Sequence, residues 1–534
     1  MDATPAQLLD FQMHRQDIPY LLARWADRRP DHPALIWDPP AGAARAWTYR
    51  ELLVDVHRLA AGLSRRGIAR GDKVLIHADN CPEMVLTWLA CAMVGAVGVT
   101  TNTKSVRDEL AYFASKANCI AAVTQPRYAE MVADAAPVLQ WIAVTDDDSG
   151  EMAEVSVDRS DRFDRFDALL ATDPAAWEGR PIEPMLPFCI MFTSGTTSRP
   201  KAVVHTHANA IWASRTGPRN IDLGPDDRYL IYLPFFHVNA QSWSFFAVLG
   251  VGATAVLLPK WSTSRFWEAV TRHGITHISL LPFAFPALQS PDRPADHTLR
   301  VGVFGLVFEQ LASMLGIAVY AAFGMTETVT HSIVGKPTER LPDRSMGHVA
   351  PGYEIAVVDK ATGKLCAAGE TGELWLRGTR GIQLFLEYFD NPEANDAAFE
   401  DGWFKTGDMV RMGSGGSVYY QERDKDLLKV GGENVSAREV EERIAAVRGV
   451  AQVAVVGRQH EFLDQVAVAF VVTTPDAPDP ATLEAEVVAA CTEHLAAFKV
   501  PRAVYVVDAL PLGTLDKVLK NRLREMADAM PPVR

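Results

Sequence analysis

What most constrains the fold of this chain is an alternation. Over its first several hundred residues, short apolar β-rich runs take turns with longer helical patterns. Val74-Leu75-Ile76-His77 reads as a buried strand, Glu83 to Met93 as a helix and Gly95 to Thr100 as the next strand. The unit recurs at Phe266 to His273 (helix), His277 to Leu281 (strand) and Phe308 to Leu315 (helix). Strands separated by helices need crossover connections, and these predict an α/β architecture. Thr48-Tyr49-Arg50-Glu51 has the spacing of a capping box, in which a hydroxyl and a carboxylate three residues apart satisfy the first free N–H groups of a helix.

The texture changes after about Gly347. Glu354 to Asp359, Glu373 to Arg377 and Ser417 to Gln421 read as short strands between Gly-rich turns, which predicts a β-rich subdomain over about 347–422. A second change falls at Arg423-Asp424-Lys425-Asp426, a charged stretch unsuited to a core. Beyond it, strands are expected at Val453 to Gly457, Ala467 to Thr473 and Ala503 to Val507, and helices at Arg438 to Arg448 and Ala481 to Leu495. The expected organisation is a large N-terminal domain over 1–422, a hinge at 423–426 and a small α+β domain over 427–534. A chain of 534 residues is long enough for at least two cores.

Charge and cysteine content narrow the function. The formal net charge is −14, whereas duplex binding needs a basic face to displace counterions, so nucleic acid is not an expected partner. The six cysteines form no C-x-x-C pair, which argues against a structural zinc or a disulfide framework and for a reducing cytoplasm. Met84 to Thr103 and Tyr229 to Pro259 lack Asp, Glu, Lys and Arg. Gly95 and Gly98 interrupt the first run, and Pro234, His237, Asn239, Gln241 and Ser242 the second. Neither holds the roughly 20 unbroken apolar residues of a membrane span, so both read as core segments.

The stretch most suggestive of chemistry is Met191-Phe192-Thr193-Ser194-Gly195-Thr196-Thr197-Ser198-Arg199-Pro200-Lys201. An apolar strand ends and a run of hydroxyl and glycine residues follows, closed by a lysine. Such a loop can surround phosphate oxygens with backbone and hydroxyl donors. It lacks the G-x-x-x-x-G-K-[ST] spacing of a Walker loop. Composition alone leaves a surface Ser/Thr turn as an equal alternative.

Thr193 to Lys201 resembles the signature phosphate loop of the adenylate-forming (ANL) superfamily, which includes acyl-CoA synthetases, firefly luciferase and the adenylation domains of peptide synthetases. Further segments carry the same resemblance in the same order. Pro234-Phe235-Phe236-His237 is similar to the family's histidine motif. Ala322-Phe323-Gly324-Met325-Thr326-Glu327 is similar to its aromatic-Gly-x-Thr-Glu motif. Trp403 to Asp408 resembles the segment bearing the ribose-binding aspartate, Arg423 to Glu433 the hinge and following loop, and Pro511 to Lys520 the C-terminal lysine motif. Asp79-Asn80-Cys81-Pro82-Glu83, Gly431 to Ser436 and Ala497-Phe498-Lys499-Val500-Pro501 bring the chain nearest to carnitine and crotonobetaine CoA ligases and related fatty acyl-CoA ligases.

The resemblance implies a two-step reaction using ATP, Mg²⁺ and coenzyme A. A carboxylate attacks the α-phosphorus of ATP, giving an acyl-adenylate and pyrophosphate; a thiol then displaces AMP. It implies that Thr193, Ser194, Gly195, Thr196 and Thr197 hold the β- and γ-phosphates with Lys201 behind them. Thr326 would bond the α-phosphate, Glu327 would bind Mg²⁺, and Phe323, with Gly324 and Met325 beside it, would stack on adenine. Asp408 would accept from the ribose hydroxyls, supported by Arg423. His237 would lie by the acyl carboxylate. Lys517 would bridge carboxylate and phosphate, and the cap would then turn about Lys425 to bring Gly431 and Gly432 to the pantetheine tunnel.

Three departures stand out. Ser198 and Asp516 occupy positions where glycine is usual, and Gly302 to Phe308 is bulkier and shorter than the family's glycine-rich segment. Asp516 puts a negative charge beside Lys517, which motivates a second reading: an enzyme that performs only thioester formation on a preformed acyl-adenylate. A noncatalytic nucleotide-binding protein is the third. No Asp or Glu occurs between Asp227 and Glu268, so a trimethylammonium acid lacks a countercharge there, and a bulky, lipophilic carboxylic acid is the expected substrate. Expected partners are that acid or its adenylate and coenzyme A, with neither nucleic acid nor an integral membrane segment, and a homodimer as a possible assembly.

Overall fold

A computed structural model describes residues 3–148, 151–152, 162–193, 199–360, 362–423, 427–511 and 518–530. The chain forms two compact units. The first comprises Met1–Thr103, Ala114–Met191 and Ala202–Glu422; the second comprises Lys104–Phe113, Phe192–Lys201 and Arg423–Arg534.

The α/β expectation is met in the first unit. Among the described residues, nine strands form one sheet, in the order His348–Val349, Ile333–Gly335, Ala318–Phe323, Val301–Phe304, His277–Ser279, Arg228–Ile231, Thr254–Leu257, Pro33–Trp37 and Arg45–Thr48. The six strands from Ala318–Phe323 to Pro33–Trp37 are mutually parallel, and antiparallel strands close both edges. A second sheet contains the parallel strands Val97–Thr100, Lys73–His77, Cys119–Thr124 and Trp141–Val144. The helix Tyr49–Arg65 begins at the expected capping box, with the Thr48 hydroxyl and the Glu51 carboxylate each accepting from the other's backbone N–H.

The charge-free runs become core. Met84 to Thr103 supplies most of the helix Pro82–Val94, nearly every residue of which is buried, and then the strand Val97–Thr100. A helix apolar on all sides must be enclosed on all sides. Trp88 packs among Phe188, Phe235 and Phe246 with ring centroids 4.9–5.5 Å away. Gly95 ends the helix at φ 85°, where a β-carbon would be strained, so the next strand starts two residues later than the sequence pattern indicates. No helix among the described residues is long and apolar enough to cross a membrane.

The β-rich segment is a separate sheet. Glu354–Val358, Thr371–Arg377 and Trp403–Met412 run antiparallel in that order, and Val418–Arg423 pairs with the last. In the second unit, the long hairpin Val450–His460 and Asp464–Thr473 carries Leu427–Val430 and Ala503–Val506 on its second strand. The helices Ala437–Ala445 and Pro480–His494 bury Val440, Ile444, Leu483, Val487 and Cys491 in that unit's core.

Candidate active site

The histidine segment is held from a distance. Pro234 to His237 follows the strand Arg228–Ile231 as an irregular loop without a ladder to satisfy its backbone. Asn80, 2% exposed, supplies the missing partners. Its Nδ2 donates to the carbonyls of Leu233 (2.9 Å) and Leu258 (3.0 Å), and its Oδ1 accepts from the N–H of Phe235 (2.6 Å). Gln241 donates to the Phe235 carbonyl (2.8 Å) and to the Thr100 hydroxyl (3.1 Å). His237 is therefore half-buried on a braced loop, its ring 4.5 Å from that of Phe236. The loop runs into a π-helical turn, Asn239–Phe245, a rare wide turn that redirects side chains.

A second arm leaves the end of the strand Ala318–Phe323. Gly324, Met325 and the short turn Thr326–Thr328 follow it. A β-carbon on Gly324 would stand 2.6 Å from the Thr330 carbonyl oxygen and 2.8 Å from the Trp243 ring, so only glycine lets these pieces meet. The turn is fixed through its backbone: His205 Nε2 donates to the Thr326 carbonyl at 2.7 Å. Burial holds the His205 ring neutral, its pKa pushed down to about 4, against the opposing pull of that carbonyl. Glu327 is 5% exposed, and the Tyr388 hydroxyl donates to its Oε1 at 3.0 Å. Tyr388 reaches it because Glu387–Tyr388 pairs with Val203 and Val204 of the strand Lys201–Thr206. The backbone N–H of Phe385 donates to the Glu327 carbonyl at 2.8 Å.

Asp408 belongs to the β-rich sheet. Along Trp403–Met412, Phe404, Thr406, Asp408 and Val410 face inward in strict alternation, so a carboxylate occupies a row of core positions and is 2% exposed. The register shifts opposite Glu373 to Trp375, and Gly407 there has φ 77°. The Gly407 N–H is bonded by Glu373 Oε1 (3.0 Å), and that of Asp408 by the Thr406 hydroxyl (3.1 Å). This irregularity sets the direction of Asp408.

Thr193 ends the strand Pro187–Thr193, and Lys201 begins Lys201–Thr206; both are half-buried. Ser194, Gly195, Thr196, Thr197 and Ser198 lie outside the described residues, as do Lys425, Asp516 and Lys517; of Arg423 only the backbone is described. Phe323 is half-buried and pairs with Ile333 across the sheet, and Gly305 has open space where a β-carbon would be. In the second unit, Gly431 and Gly432 form the two-residue turn of the hairpin Leu427–Val430 and Glu433–Ser436, with φ 58° and 86°. That turn type demands left-handed residues at both places. Gly431 also lines a cavity of about 280 Å³ with Val430, Leu463, Val466, Phe498 and Arg502. Lys499 is buried and paired with Glu439 at 3.0 Å, which makes it a structural cation of that unit.

Three supporting residues were not singled out from the sequence: Asn80, His205 and Tyr388. Asn80 belongs to the Asp79–Glu83 segment, but only the fold shows what it bonds. His205 and Tyr388 have no sequence signal, because their partners stand 121 and 61 residues away.

The model of the AMP-binding enzyme family matches residues 22–389, and that of the AMP-binding enzyme C-terminal domain matches 439–517. The crotonobetaine/carnitine–CoA ligase of Salmonella paratyphi C is 32% identical over 514 residues, covering 92% of this chain and 96% of that protein. A double mutant of the o-succinylbenzoate CoA synthetase of Bacillus subtilis, bound with its product analogue, superposes with a TM-score of 0.81 at 26% identity, covering 96% of this chain and 98% of that one. ATP-bound MatB from Rhodopseudomonas palustris gives a TM-score of 0.68 at 28% identity, covering 96% and 99%. Fold and motif order are those of an adenylate-forming synthetase. The chain belongs to the AMP-binding enzyme family.

Proposed function

We propose that this protein is an ATP- and Mg²⁺-dependent acid–CoA ligase, forming an acyl-adenylate and then a thioester. The observation that carries the reading is the Tyr388–Glu327 pair: a buried carboxylate is aimed by a phenol, on a turn whose backbone His205 fixes. In the first step a carboxylate oxygen bonds to the α-phosphorus of ATP, and the bond to the pyrophosphate oxygen breaks. In the second, a thiolate attacks the acyl carbon and AMP leaves. Both steps need positioning and charge stabilisation around phosphate.

Thr193 to Thr197 and Lys201 cradle the β- and γ-phosphates, and Thr326 bonds the α-phosphate. Phe323, Gly324 and Met325 receive adenine, and Asp408, with Arg423, receives the ribose. His237 borders the acyl carboxylate, and Lys517 neutralises the approach of two anions. Gly431 and Gly432 admit pantetheine, and the hinge lies at 423–426, around Lys425, between domains at 1–422 and 427–534. The residues present suit Mg²⁺, since that ion takes one or two carboxylates plus phosphate oxygens and keeps several waters. Glu327 supplies such a carboxylate, and among the described residues no cluster of three or more His, Cys, Asp or Glu side chains offers an all-protein cage. Bound there, Mg²⁺ would neutralise charge on the phosphates.

The acid is bulky and largely apolar, the enzyme is cytoplasmic, and a homodimer is its assembly. Incubation with ATP, CoA and a mixed acid panel, read by mass spectrometry, tests the reading. Acyl-CoA and AMP are expected together; release of neither from any acid refutes it. Asp516 favours one second reading, thioester formation alone. Robust pyrophosphate exchange with a cognate acid eliminates it.

A further inference from the structure

Next to the Gly324 arm lies a polar pair that no described residue satisfies. His331 is 1% exposed, and among the described residues neither ring nitrogen has a hydrogen-bond partner. The indole N–H of Trp243 is likewise buried and unpartnered. The two rings meet edge to face, centroids 4.7 Å apart. Burial keeps His331 uncharged, its pKa pushed down to about 3, so it presents one donor and one acceptor. An orphaned buried donor or acceptor costs about 1–3 kcal/mol, so such groups normally find a partner in protein, ordered water or a ligand.

Their position says which ligand. Trp243 sits in the π-helical turn that begins two residues after His237, and Gln241 of that turn donates its backbone N–H to the His237 carbonyl at 3.2 Å. Its ring also packs against Gly324, whose substitution would press a β-carbon to 2.8 Å from it. The pair therefore lies between the histidine loop and the Gly-Met-Thr-Glu arm. Trp243 as a whole is half-buried. A carboxylate held by His237 and Thr326 would lead its acyl body toward these rings.

We propose that Trp243 and His331 are specificity-determining residues that recognise an uncharged oxygen, a hydroxyl or a carbonyl, on the acyl body of the acid. This rests on the ligase reading above. A plain hydrocarbon would leave the indole N–H unpaired. A quaternary ammonium would meet the positive end of that N–H dipole, with no Asp or Glu between Asp227 and Glu268 to balance it. A second carboxylate would find no countercharge on either ring.

The test uses stable adenylate mimics, so turnover is not required. Acylsulfamoyl adenosines bearing octanoyl, 3-hydroxyoctanoyl, 3-oxooctanoyl, 3-phenylpropanoyl and 3-(4-hydroxyphenyl)propanoyl groups are titrated calorimetrically into the full chain, with AMP as control. At least one oxygenated mimic is expected to bind about tenfold tighter than its hydrocarbon counterpart, the worth of one well-made hydrogen bond. Trp243→Phe removes only the N–H, and His331→Phe removes both nitrogens. Each is expected to shrink that ratio without weakening the hydrocarbon mimic, whereas a merely structural loss would weaken both. The proposal is overturned if no oxygenated mimic is preferred, or if the preference survives in both variants. Failure of AMP and every mimic to bind refutes the ligase reading itself, and this inference with it.

Discussion

Removing the Asn80 amide should unfasten the histidine loop. Its side chain is 2% exposed and bonds three backbone groups: the carbonyls of Leu233 and Leu258 and the N–H of Phe235. Asn80→Ala leaves all three without that partner inside the protein. At about 1 kcal/mol each the loss is about 3 kcal/mol, and more if water cannot reach them. Part of this should appear as global destabilisation and part as displacement of His237, two residues past Phe235. Urea unfolding measures the first part, and AMP release at saturating ATP, with the acid varied, measures the second. The expected result is a destabilisation of about 2–4 kcal/mol together with a fall of at least tenfold in kcat/KM for the acid. Asn80→Asp separates the causes. It keeps the acceptor for Phe235 but turns a second oxygen toward two carbonyls, so it should be at least as damaging as alanine despite its near-identical shape. An aspartate variant with wild-type stability and kcat/KM would refute the reasoning, because the amide donors would then not matter.

Other outcomes follow from the same geometry. Tyr388→Phe removes the bond to Glu327, and bonds to charged groups are worth about 1.5–3 kcal/mol; half-saturation by Mg²⁺, read from AMP release, should rise about tenfold or more, and an unchanged value would count against Glu327 as the metal's carboxylate. Gly324→Ala forces a β-carbon to 2.6 Å from a backbone oxygen and should cost about 1–3 kcal/mol in thermal or urea unfolding; a neutral effect would mean the two arms move apart freely. Burial pushes both His77 and His205 down to about 4, so the unfolded chain binds protons that the folded chain refuses between about pH 6.5 and 4. Stability should therefore fall as pH drops through that window, by up to about 1.4 kcal/mol per pH unit for each such histidine, and a urea midpoint that stays flat from pH 6.5 to 4.5 would contradict it. Asp516→Gly should raise pyrophosphate exchange with the cognate acid, and no rise would clear Asp516 of hindering adenylation.

Period and punctuation alone predicted the strands at Val74, His277 and Glu354, the helix Phe266–His273 and the capping box at Thr48, because these depend on neighbours within a few residues. The motif strings also named the family without any coordinates. Where the pattern missed, local geometry explains it: Phe308 takes an extended conformation ahead of the helix Glu309–Leu315, and Gly95 turns left-handed instead of opening a strand.

The linear order of residues by itself nominated the candidate site: His237, Thr326, Glu327, Asp408 and Lys517 stand in strings that resemble the family's motifs. Tertiary structure alone decided what aims them. Asn80 braces a loop 155 residues away, Tyr388 orients Glu327 across 61, and Trp243 meets His331 only because two chain segments converge at Gly324. Hydrogen bonds act over about 3 Å of space whatever the separation along the chain, so no local pattern records them.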